Sequence, residues 1–76
     1  MNQKEFLKEL GHKIKVARID KNLSREKLAE MADCNPSYIG YVERGDVSHT
    51  TYKFMKIIKA LDLDINNLIC DLVNKI

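Results

Sequence analysis

The chain has 76 residues, 45% of them apolar and 32% charged, a balance suited to one compact soluble domain. At this size folding buries roughly 60% of the surface that the unfolded chain exposes, which leaves room for one modest core and none for a separate catalytic lobe. Thirteen Lys and Arg against eleven Asp and Glu give a net charge of only +2, so bulk charge permits a polyanionic partner without requiring one.

Asn2 followed by Glu5 has the form of a capping box, and Phe6, Leu7, Leu10, Ile14 and Ala17 then recur at helical spacing. A first helix from about Gln3 to Lys21 is expected. Gly11 inside it costs about 1 kcal/mol relative to Ala, which suits either close approach by another element or an ordinary surface position. After a break at Asn22, Ser24 caps a short second helix carrying Leu28, Ala29 and Ala32. Asp33 stands where the chain must leave that helix and tolerates the left-handed conformation. Asn35 is a good cap and Pro36 suits the first position of a third helix, whose apolar contacts are Ile39 and Val42 and which Gly45-Asp46 ends. Thr50 or Thr51 caps a fourth helix with Phe54, Ile57, Ile58 and Leu61 on one face and Lys53, Lys56 and Lys59 on the other. Asp64 caps a fifth, where Ile65, Leu68, Ile69, Leu72, Val73 and Ile76 form a continuous stripe. No segment alternates with period two, so the expected fold is all-α with about five short helices in a single domain over residues 1–76.

Several classes of function have no residues to carry them. No apolar run approaches the about 18 residues of a membrane span, and the N-terminus lacks a signal-like apolar region, which predicts a soluble cytoplasmic protein with no membrane partner. Cys34 and Cys70 fit no metal spacing and read as reduced core residues, and His12 and His49 have no ligand partner nearby. No metal or cofactor is expected. No nucleophile stands near a base and no Gly-rich phosphate loop is present, so an enzyme is not expected either. Residues 1–61 hold twelve basic and eight acidic side chains, whereas 62–76 hold Lys75 against Asp62, Asp64 and Asp71. A surface for nucleic acid would therefore not lie at the C-terminus.

The second and third helices are separated only by Ala32-Asp33-Cys34-Asn35, the spacing of a helix-turn-helix over about residues 24–44. From Leu10 to Leu68 the chain resembles the Xre/Cro-type helix-turn-helix of phage repressors and small bacterial regulators. The matching residues are Leu10-Gly11, Ile14-Lys15 and Arg18, then Leu23-Ser24-Arg25-Glu26, Leu28-Ala29-Glu30, Asn35, Ser37-Tyr38-Ile39, Glu43-Arg44-Gly45, Lys59-Ala60-Leu61, Ile65 and Leu68. The resemblance implies a compact five-helix lambda-repressor-like domain and a sequence-specific regulator of transcription that binds double-stranded DNA, commonly as a homodimer on an inverted repeat.

It also implies roles for particular residues. Arg18 and Glu43 stand where relatives form an ion pair between the first and third helices, and breaking a buried pair of this kind costs about 3 kcal/mol. Arg25 stands at the start of the second helix, where relatives touch a phosphate; the competing reading is a solvated charge. The outward set on the third helix is Pro36, Ser37, Gly40 and Tyr41, with Asn35 at the cap and Arg44 at the end. This set is thin in base-reading groups. Either Gly40 lets the helix sit deep in the groove, with Tyr41, Ser37, Arg44 and DNA shape giving specificity, or the helix meets a protein. Tyr38 reads as a packing residue. Ser48, Thr50 and Thr51 make a phosphate seat at the fourth helix, or simply cap it. His49 replaces a Pro common in relatives, and Asp46 puts a negative charge where they often carry Lys or Arg.

The fifth helix, about residues 65–76, is the expected dimerisation element. Left bare, its apolar residues would forfeit about 1.5–3 kcal/mol each, so Leu68, Leu72, Val73 and Ile76 should be covered by a second copy, or by the first helix through Phe6 and Leu7. The alternative function is a protein-interaction module, antitoxin-like or antiactivator-like, that uses the same fold with weak or no specific DNA binding.

Overall fold

A computed structural model describes residues 1–46 and 51–76, with Thr51 as backbone alone. Among the described residues the chain forms five helices and no strand: α1 Gln3–Asp20, α2 Arg25–Met31, α3 Pro36–Arg44, α4 Thr51–Ala60 and α5 Ile65–Asn74. The capping box opens α1, with the Glu5 N–H donating to Asn2 Oδ1 at 2.8 Å and the Asn2 N–H to Glu5 Oε1 at 3.4 Å. Ser24 Oγ accepts from the Lys27 N–H at 3.0 Å, Asn35 Oδ1 from Ser37 at 2.8 Å, and Asp64 Oδ1 from Asn66 at 2.9 Å. Of the expected caps for α4, Thr50 and the Thr51 side chain lie outside the described residues.

Three of the turns use one device. Asn22, Asp33 and Asp62 adopt positive φ of 58°, 53° and 53°, and each is followed by a partly buried apolar residue, Leu23, Cys34 or Leu63, and then by the cap of the next helix. The apolar residue's N–H returns to a carbonyl five residues back: Leu23 to Arg18, Cys34 to Ala29 and Leu63 to Ile58. Asn and Asp tolerate the left-handed conformation, so a helix stops, drops one side chain onto the core and restarts after four residues.

The core holds Leu10 and Ile14 of α1, Leu28 and Ala29 of α2, Ile39 and Val42 of α3, Phe54, Ile57 and Ile58 of α4, Leu61 beyond it, and Leu68 and Leu72 of α5. Gly11 faces α3: a methyl group there would run into the Val42 carbonyl oxygen and come within 2.7 Å of the Glu43 carbonyl oxygen. The close-approach reading of Gly11 is the one the fold adopts. Two expectations are corrected. Cys70 is exposed on α5 and is not a core residue, whereas Cys34 is partly buried at the α2–α3 turn. Leu68 and Leu72 are buried within the single chain, Leu72 completely, because α5 lies along α1; of the expected interface set only Val73 and Ile76 remain exposed, at 53% and 78%. The ion pair of Lys75 Nζ with Glu9 Oε2 at 3.2 Å ties the end of α5 to α1.

Candidate nucleic-acid interface

The frame of the site is a buried carboxylate. Glu43, in the last turn of α3, has only 1% of its side chain exposed, and a negative charge at a helix C-terminus is unfavourable by itself. Two arginines compensate it. Arg18 donates from Nε to Oε2 at 2.6 Å and from Nη2 to Oε1 at 3.2 Å, while its Nη1 holds the Leu23 carbonyl at 2.8 Å. Arg25 donates from Nε to Oε1 at 3.1 Å. One carboxylate therefore joins the end of α3 to the body of α1 and the start of α2, and the Leu23 contact adds the α1–α2 turn.

Arg25 is not simply a solvated charge at a helix start. It is 43% exposed, so its guanidinium reaches solvent, yet its Nε is anchored on Glu43. Local spacing gives no signal for this, because Arg25 and Glu43 are eighteen residues apart and meet only when α2 and α3 pack.

Between the start of α2 and the outward side of α3 lies an open basin of about 300 Å³, lined by Arg25, Glu26, Pro36, Ser37, Gly40, Tyr41 and Arg44. Six of these seven are sequence-predicted contact residues; Glu26 is the addition. Asn35 is exposed but turned to its own helix as the α3 cap. Arg44 donates from Nε to Asp46 Oδ2 at 2.8 Å, and its guanidinium carbon lies 5.1 Å from the centre of the Tyr41 ring. The sequence marks Asp46 only as a negative charge where relatives often carry Lys or Arg, and gives no sign of its bond to Arg44. Ser48, Thr50 and the Thr51 side chain, the expected phosphate seat, lie outside the described residues.

Tyr38 packs on the core side of α3, with the Lys53 ammonium 5.3 Å from its ring centre. Its hydroxyl is buried without a hydrogen-bond partner among the described residues. Burial first, and then the neighbouring Cys34, raise its phenol above the ordinary value near 10. The Cys34 thiol is likewise raised, chiefly by burial and further by Asp33, against the opposing pull of Lys56 and Lys53. Among the described residues no three His, Cys, Asp or Glu gather to hold a metal ion, and no helix is long and apolar enough to cross a membrane.

A family model described as a helix-turn-helix matches residues 14–68. No curated protein sequence matches the chain. Among solved structures, the restriction-modification controller protein C.AhdI from Aeromonas hydrophila is 34% identical with a TM-score of 0.77, over 82% of this chain and 94% of that one. The wild-type restriction-modification controller C.Esp1396I is 25% identical with a TM-score of 0.77, over 91% and 95% respectively. The clp gene regulator ClgR from Corynebacterium glutamicum shares the fold, with a TM-score of 0.81 at 21% identity over 92% of this chain and 74% of that one.

Proposed function

The chain belongs to the Xre/Cro-type helix-turn-helix family of DNA-binding transcriptional regulators, and from that premise we propose that it acts as a homodimer on an inverted-repeat operator, with α3 in the major groove of each half-site. The observation that carries this reading is the basin on α3. Two guanidinium groups, a hydroxyl and an exposed aromatic ring converge there, and the buried Glu43 fixes the start of α2 beside it. Arg25 then contacts a phosphate with the part of its guanidinium that Glu43 does not hold.

The dimer is proposed on the outer side of α5. Asn66, Asn67, Ile69, Cys70, Val73 and Asn74 form an open surface there that carries no charged side chain, and depletion of charge marks the centre of an association surface. A two-fold axis through it repeats every contact, and two α3 helices spaced about 34 Å apart would match one turn of DNA. The likeness to two restriction-modification controllers suggests control of such a gene pair as the biological setting.

Selection from randomised duplex DNA near physiological salt, followed by sedimentation of the selected complex, tests the reading. The expected result is one enriched inverted repeat bound by two copies. Weak, salt-sensitive binding with no enriched sequence would overturn it in favour of a protein partner.

A further inference from the structure

Resting on the DNA-binding reading above, we propose that Arg44, folded back along α3 and held by Asp46, is the side chain that reads base edges, and that guanine is the base it selects. By sequence position Arg44 lies at the end of the helix. Long side chains on a helix lean toward the N-terminus and lie over the residues three and four positions earlier, here Tyr41 and Gly40. The guanidinium does this, with its carbon 5.1 Å from the centre of the Tyr41 ring. A methyl group on Gly40 would stand only 3.3 Å from Nη1 and 4.0 Å from Nη2. The guanidinium therefore lies against the bare backbone of Gly40, close enough that a methyl group there would push it aside by a few tenths of an ångström. The middle of α3, where the sequence offers only the Tyr41 hydroxyl, receives a guanidinium from Arg44.

Asp46 is the positioning residue. Gly45 turns the chain with φ of 73°, the Gly45 N–H bonds to the Val42 carbonyl at 3.1 Å, and the Asp46 N–H bonds to the Tyr41 carbonyl at 2.9 Å. This closed turn brings the Asp46 carboxylate back to accept Nε of Arg44 at 2.8 Å. That bond uses Nε and leaves Nη1 and Nη2 outside the ion pair. Two parallel donors in a fixed fork match the O6 and N7 acceptors of guanine, whereas adenine presents a donor in place of O6. Fixing the side chain beforehand reduces the rotamer entropy lost on binding. The pair with Asp46 also cancels the charge of Arg44, which suits a directional contact better than a general attraction to phosphate.

The test is duplex selection and binding titration with the wild type and with Arg44→Ala, Arg44→Lys, Asp46→Asn and Gly40→Ala, each first checked for helical content and cooperative melting. The wild type should select a guanine in each half-site. Arg44→Ala should lose about tenfold or more of the preference at that base pair and keep the preferences elsewhere. Arg44→Lys, which keeps the charge without the fork, should lose the same preference while binding to unrelated DNA stays close to wild type. Asp46→Asn and Gly40→Ala should broaden the choice at that same position without weakening non-specific binding. The assignment is overturned if the guanine preference survives Arg44→Ala. It is equally overturned if Asp46→Asn raises affinity for all sequences alike and leaves the preference intact, since Asp46 would then only repel phosphates. An enriched site indifferent to Arg44 removes this assignment and leaves the regulator reading standing, whereas a wild type that enriches no sequence removes both.

Discussion

The carboxylate of Glu43 shows how one residue can be worth more than its own contacts. It is desolvated almost completely and carries a full charge, so removing either guanidinium leaves part of that charge uncompensated. The two arginines are unequal. Arg18 is nearly buried and contributes a two-point grip plus a hydrogen bond to Leu23, so Arg18→Ala should cost about 3–5 kcal/mol, read from chemical denaturation. Arg25 is half in solvent, and Arg25→Ala should cost much less stability. Its expected effect is weaker binding to all DNA sequences alike, with the salt slope reduced by about one unit. An unchanged slope would take Arg25 off the phosphate. Tyr38 presents the opposite case, a buried hydroxyl with nothing to bond among the described residues. Tyr38→Phe removes an unsatisfied group and keeps the ring, so stability should be unchanged or rise by up to about 1 kcal/mol. Because the fold holds the phenol neutral, its contribution is complete below pH ~10 and is lost as pH rises through the raised folded value. The alkaline fall in stability should therefore be smaller in Tyr38→Phe, and identical alkaline melting curves for the two proteins would contradict this.

At the scale of elements, the helices are short and depend on their ends. α2 has only seven residues, too few to persist alone in water, so its cap at Ser24 and its packing on α3 make it a helix. The same turn after α1, α2 and α4 keeps the connections tight, and between α2 and α3 it fixes the angle on which the helix-turn-helix depends. The α1–α3 crossing is set by Gly11. In an exposed helix Gly→Ala would stabilise by about 1 kcal/mol, but here the methyl group meets backbone carbonyl groups of α3 that cannot rotate away. Gly11→Ala should give a net loss of about 1–2 kcal/mol, measured by denaturant unfolding. A gain would mean that the crossing can open without cost. The expected helices and most of their caps were readable from spacing, since capping, helical period and left-handed tolerance act within a few residues. The outer end of α5 was not. Its stripe continues to Ile76 in the sequence, but the helix ends at Asn74 and turns only part of that stripe toward α1.

For the whole molecule, the question is which apolar surface a second copy would cover. Leu68 and Leu72 are already spent on the intramolecular core, so replacing them would unfold the chain rather than separate two copies. Val73 is exposed on the proposed surface, whereas Ile76 lies apart from it beside Phe6, so Val73→Asp should give a folded monomer by sedimentation with a melting temperature near that of wild type. If the wild type sediments as a monomer at the same concentration, the α5 dimer is wrong. The basin on α3 is a separate surface, so the monomer should retain non-specific DNA binding while losing affinity for a two-half-site operator.

By itself the sequence determined the five helices, the turn between α2 and α3, the Arg18–Glu43 pair through its family resemblance, and most of the surface around α3. These follow from local chemistry or from a pattern dense enough to be matched in one register. Only the tertiary structure decided that Arg25 shares Glu43, that Arg44 lies over Gly40 in the grip of Asp46, and that α5 buries Leu68 and Leu72 at home. Long side chains reach several ångströms from their own backbone, so their partners depend on how helices pack and turns close. An apolar stripe records that a surface must be covered without recording what covers it.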